Sequence, residues 1–209
     1  MKIGIIACDI MKGEIERLLA DKEEVTEVVF LEAALHVYPQ KMKERIKEEI
    51  AAIKDRVDVV FLGYGFCQSL QGIENEVDVP VVMPRLDDCI SILFTPERYA
   101  AEKRKEVGTW FMTPGWAEVG IDIMIKELHL DRAKKYGKDP VEMAKRLLTH
   151  YRRGLFIATG VGDRDDLLKK AEAFCDTFGI TLEETTADSR ILEQTFEKCA
   201  EVVRVKRKK

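Results

Sequence analysis

Four short strand-like segments, Ile3–Ala7, Val25–Phe30, Val57–Leu62 and Pro80–Met83, punctuate the first part of the chain, with charged segments between them. Ile3–Ala7 is a continuous apolar run, which reads as a strand buried in a parallel sheet, and Val57–Leu62 is apolar except for Asp58. Between the first two, Ile15, Leu18 and Leu19 share one face of a predicted helix, Met11–Leu19. Between the second and third, Met42, Ile46, Ile50 and Ile53 do the same on a predicted helix over 39–54. That helix opens with Pro39, a position where a helix start tolerates proline. Strand and helix in alternation predict an α/β fold, a Rossmann-like parallel sheet flanked by helices.

The pattern continues with longer helices. Gly108–Met112, Leu155–Thr159 and Ile180–Thr185 read as strands. Ala117–Tyr136, Pro140–His150, Asp166–Phe178 and Ser189–Val203 read as helices, with Gly137 as a stop and Asp163, Asp165 and Asp188 as candidate caps. The charged stretch Glu97–Glu106 is the natural boundary. It predicts an N-terminal α/β lobe over 1–100 and a C-terminal α/β lobe over 101–209, with a cleft between them.

A formal net charge of −4 argues against nucleic acid as a partner. The basic end 204–209 reads as a solvated helix terminus. The apolar start is too short for a signal peptide, and no run reaches the ~20 residues of a bilayer span. The expectation is a cytoplasmic protein without a membrane partner. In a reducing compartment the five cysteines are thiols, metal ligands or redox groups rather than structural disulfides.

Ligands of open parallel sheets bind beyond the carboxyl ends of the strands. Cys8 follows the first predicted strand, His36 the second, Gly63-Tyr64-Gly65-Phe66-Cys67 the third, and Pro84-Arg85-Leu86-Asp87-Asp88-Cys89 the fourth. Cys8, Cys67 and Cys89 thus fall on one sheet edge, and thiolates favour soft metals. No Cys-x-x-Cys pair occurs, so a zinc ribbon is excluded. Three thiolates suit a four-iron cluster with one iron open. With His36 they would fill a tetrahedral zinc, and two thiolates with His36 would leave zinc an open position. The choice between iron–sulfur cluster and zinc stays open.

Around these ligands, Gly63 and Gly65 would let backbone approach a bound molecule. They lack the third glycine of a dinucleotide fingerprint. Gly160-Val161-Gly162 is a second turn with anion-cradling potential, though plain turn chemistry explains it. Arg85 suits a carboxylate or phosphate, Asp88 a hydrogen bond to ligand or thiolate, and Trp116 a wall of the expected cleft. Cys175 and Cys199 lie within predicted helices and read as core.

Ala7-Cys8, Leu35-His36-Val37-Tyr38-Pro39, Gly63-Tyr64-Gly65-Phe66-Cys67, Pro84-Arg85-Leu86-Asp87-Asp88-Cys89 and Thr113-Pro114-Gly115-Trp116 together resemble the family of domain of unknown function 1638. The resemblance implies a cytosolic protein of anaerobes and some other bacteria, often encoded beside corrinoid-dependent methyltransferases for methylamines or related methyl donors. Its characteristic cysteines correspond to Cys8, Cys67 and Cys89, and its Leu-His-x-x-Pro motif contains His36. This chain has Asp9 where many members have glycine, and Asp88 where many have histidine. The leading expectation is a metal- or iron–sulfur-binding protein of anaerobic one-carbon metabolism, with a small-molecule substrate or a corrinoid protein as partner. The rivals are a thiol- or zinc-dependent methyl- or sulfur-transfer enzyme, and a metal-free accessory protein of a corrinoid methyltransferase system.

Overall fold

The computed structural model describes residues 1–66 and 70–206, with Ala34 by its backbone alone. The chain forms two compact units, one of residues 1–96 with 188–209, the other of residues 97–187. The expected lobes divide the chain once, near residue 100. The observed units divide it twice, because the closing helix packs with the first unit.

In that unit, strand β1 (Ile3–Cys8) is buried along its whole length. Helix α1 (Lys12–Leu19) follows, then strand β2 (Val25–Leu31). Helix α2 (Pro39–Ile53) buries Met42, Ile46, Ile50 and Ile53, the face that the spacing predicts. Each fully buried aliphatic side chain of this kind contributes about 1.5–3 kcal/mol. Strands β3 (Val59–Gly63) and β4 (Val81–Val82) complete a parallel sheet in the order β2-β1-β3-β4. Edge strand β2 alternates half-buried and exposed residues from Val25 to Val28 and buries only Leu31, and its Glu27 accepts from Arg56 Nε at 2.7 Å. Charged side chains of this kind blunt an edge against further pairing.

The order of the strands matters for function. From β1 the chain runs to β2 on one side, then crosses to β3 on the other. Strand order thus reverses between β1 and β3, and it is at such a switch point that open α/β sheets bind their ligands. Helix α3 (Cys89–Ile92) follows β4.

The second unit opens with helix α4 (Pro96–Lys105), which begins at the unit boundary and buries no residue. Its sheet is parallel, with strands β5 (Thr109–Met112), β6 (Arg153–Ala158) and β7 (Thr181–Thr186) in sequential order. Helix α5 (Pro114–Glu127) is broken at Gly120, whose φ of 55° and ψ of −136° leave the helical region. The single long helix expected over 117–136 is thus divided: His129 turns left-handed, and 130–136 is a 3-10 segment stopped by Gly137. Helix α6 (Pro140–Leu147) follows. Helix α7 (Arg164–Phe178) is capped by Asp163, which accepts from the N–H groups of Asp165 and Asp166. That carboxylate occupies the helix end that Gly160-Val161-Gly162 would otherwise offer to an anion.

Helix α8 (Arg190–Lys206) returns to the first unit. Its Phe196 meets Phe61 of β3 edge to face, with ring centroids 5.7 Å apart. Among the described residues, no helix is long and apolar enough to cross a membrane.

Candidate functional site

Strand register brings the first components together. Ala7 of β1 pairs with Gly63 of β3, so Cys8 and Tyr64 follow side by side at the carboxyl ends of adjacent strands. A Cβ on Gly63 would lie 2.6 Å from the Ala7 Cβ, so only glycine permits this spacing of the two strand ends. The turn then runs against the segment before α3. A Cβ on Gly65 would lie 2.6 Å from both Cα and C of Asp88. Phe66 N–H donates to the Leu86 carbonyl at 2.5 Å. The sequence suggested that Gly63 and Gly65 make room for a bound molecule. In the structure each makes room for protein.

Asp88 explains the position of Cys89. Its carboxylate accepts from Ser91 N–H at 2.7 Å, and Ser91 Oγ accepts from Asp88 N–H. This capping box fixes the start of α3, with Cys89 as its first residue.

Tyr64 lies among these groups. It is 5% exposed, and its hydroxyl has no hydrogen-bond partner among the described residues. Burial raises its pKa well above the ordinary phenol value, and the neighbouring charges of Cys8, Cys89 and Asp9 raise it further, in that order. Cys8 is buried, Cys89 half-buried, and neither forms a disulfide. Cys67 lies outside the described residues.

Arg85 donates to Glu74 at 2.9 Å, and its guanidinium covers the Phe66 ring at 4.8 Å. The bond of Glu74 to its own backbone N–H, and then Arg85, hold the Glu74 carboxyl below its usual pKa. His36 is exposed in the 3-10 turn Ala33–Val37 after β2. Trp116 is half-buried on α5 against the core of the second unit. Among the described residues, no three His, Cys, Asp or Glu side chains gather closely enough to hold a metal ion. Cys8 and Cys89 can thus join a three-thiolate set only with Cys67.

Cys175 and Cys199 are sealed in core positions. Burial pushes their thiols up to about 11 and about 12. A thiol held protonated in this way is neither a ligand nor a nucleophile at neutral pH.

In the sequence Tyr64 stands only as part of the Gly63-Tyr64-Gly65 turn. The available signal was a phenol at the carboxyl end of an otherwise wholly apolar strand.

Residues 30–196 match the family model described as Protein of unknown function (DUF1638). The chain belongs to the DUF1638 family. The match takes in Tyr64, Cys67 and Cys89, and begins after β1 with its Cys8. No curated protein matches the chain.

Proposed function

We propose that this DUF1638 protein binds a thiophilic metal centre, an iron–sulfur cluster or zinc, through the thiolates of Cys8, Cys67 and Cys89. We place its work in anaerobic one-carbon metabolism linked to corrinoid methyl carriers. The single observation that carries the metal reading is the strand register that sets Ala7 against Gly63 and so puts Cys8 at the β1/β3 switch point, with Cys89 opening α3 directly after the Asp88 backbone that meets Gly65. Cys67 joins them through its place in the sequence, four residues beyond the end of β3. The one-carbon context rests on the family resemblance alone.

The donor set suits such a centre. Thiolates are soft ligands, and their combined negative charge is balanced by a bound cation. When bound, a metal held by three thiolates supplies a coordination position at which a ligand atom is polarised. The chain's own residues orient the site. Asp88 sets the start of α3 and hence Cys89, the Gly63–Ala7 contact holds Cys8 beside Tyr64, and the apolar strands exclude water beneath them.

The test is metal and sulfide analysis of protein purified without oxygen, beside Cys89→Ala and Cys67→Ala. Stoichiometric metal with sulfur-to-metal absorption in the parent, lost in both variants, is the expected result. Equal, sub-stoichiometric metal in all three proteins would remove the proposal.

A further inference from the structure

A cleft of about 240 Å³ opens beside the edge strand of the first unit, between β4 and α8. One wall is formed by Val81, Val82 and Met83, in and just after the strand. The other is formed by Thr195, Lys198 and Val202, which stand at i, i+3 and i+7 and so share one face of α8. Arg85 and Glu74 also line it. The valines and Met83 make much of the surface apolar. The charged groups, Arg85 and Lys198 against Glu74, leave a surplus of one positive charge.

The two cations are available to a bound anion. Arg85 gives one nitrogen, Nη2, to Glu74 at 2.9 Å, and a guanidinium carries donors on three nitrogens. The Phe66 ring, 4.8 Å from the guanidinium, helps to hold that fork in place. Lys198 is exposed and has no carboxylate partner among the described residues.

Strand β4 limits what can occupy the cleft. It pairs on one side only, with β3, and is two residues long. A peptide laid along a sheet edge draws on a run of main-chain groups, and two residues do not supply one. The volume lies below the roughly 300–1,000 Å³ of clefts that take drug-sized ligands, so the occupant is small. One surplus positive charge selects a monoanion, and the apolar wall selects a hydrocarbon body over an inorganic phosphate.

We propose that the cleft between β4 and α8 binds a small monocarboxylate with an apolar body, the carboxylate held by Arg85 and Lys198 and the body laid on Val81, Val82 and Val202. The site uses none of the cysteines and does not depend on the metal reading above.

The experiment titrates the full-length protein with sodium butyrate and follows the backbone amide NMR signals of Val81, Val82, Met83 and Lys198. Sodium chloride and butanol at the same concentrations are the controls, and inorganic phosphate is the competitor. Saturable shifts with butyrate, absent with chloride and with butanol, are the expected result. Lys198→Gln changes an exposed side chain and keeps the fold. It should bind butyrate about tenfold more weakly, the loss of one hydrogen bond to a charged group. Arg85→Gln should weaken binding by a similar factor. No saturable shift at these residues would overturn the proposal, and so would equal butyrate affinity in the parent and Lys198→Gln. The same shifts with butanol would show an apolar cleft that does not read the carboxylate, and the same shifts with chloride would show general screening. Tighter binding of phosphate than of butyrate would replace the monocarboxylate with another class. Each of these three results overturns the assignment.

Discussion

Gly65 and Asp88 touch backbone to backbone: a methyl group on Gly65 would lie 2.6 Å from the Asp88 Cα and carbonyl carbon. The contact joins the turn after β3 to the start of α3, and so joins Tyr64 to Cys89. Gly65→Ala cannot be relieved by rotating a side chain, because what it meets is main chain. It should destabilise the protein by about 1–3 kcal/mol. It should also weaken metal binding, since Cys89 moves with Asp88. Urea unfolding and a cobalt(II) titration measure the two effects, and an unchanged midpoint would contradict the packing argument.

The thiols should divide into two classes. In metal-free native protein at pH 8, iodoacetamide should label Cys89, which is half-buried, well before Cys175 or Cys199. Burial pushes the latter pair up to about 11 and about 12, so both remain protonated in the fold at that pH. They should react only after unfolding. Peptide mass spectrometry reads each site, and fast native labelling of Cys199 would refute its core assignment.

Acid should loosen the first unit through its surface carboxylates. Lys43 and Lys47 donate to Glu76 and hold its carboxyl below the usual 4.5. A carboxyl with a lowered folded-state pKa stabilises fully above its unfolded value. That contribution fades as pH falls through the folded value. Stability should therefore decline from about pH 4.5 downward. Glu76→Gln should show a shallower decline over the same window, measured by urea midpoints at stepped pH. Parallel curves would exclude the linkage.

Arg153 is the buried cation of the second unit. It is 5% exposed, and its Nη2 lies 2.5 Å from Glu102 and 2.9 Å from Glu183. Arg153→Met should lower stability by about 2 kcal/mol. That is below the range for a fully buried pair, because both acids keep some solvent. Adding Glu102→Gln should recover part of the loss by removing a stranded charge. Thermal unfolding decides it, and a stable single variant would show the ion pair to be neutral.

The strands were legible because β1, β3 and β6 are apolar along nearly their whole length, and an apolar run carries its own signature. Helix α2 was legible for the same kind of reason: Met42, Ile46, Ile50 and Ile53 repeat at helical spacing. Helix α4 was not, because Pro96–Lys105 buries nothing and has no apolar face to read. The break in α5 follows from a backbone angle at Gly120, which residue type permits but does not dictate. At the site, the place of Cys8 at the end of β1 was legible from order alone, whereas Cys89 opens α3, seven residues beyond β4. The part of Tyr64 was not legible. Its meaning depends on the register that sets Gly63 against Ala7, and register is a property of two strands rather than of either one.

Because α8 packs against β3 of the unit that residue 1 begins, that unit is not contiguous in the chain. A ribosome emits β1 to β4 first, then the whole second unit, and only then the helix that covers Phe61. Until residue 196 emerges, the flank of the sheet that Phe196 will cover stays uncapped in the nascent polypeptide. Protein cut at residue 187 should therefore be recovered as aggregate, whereas residues 97–187, a compact unit contiguous in the chain, should mature without waiting for the rest.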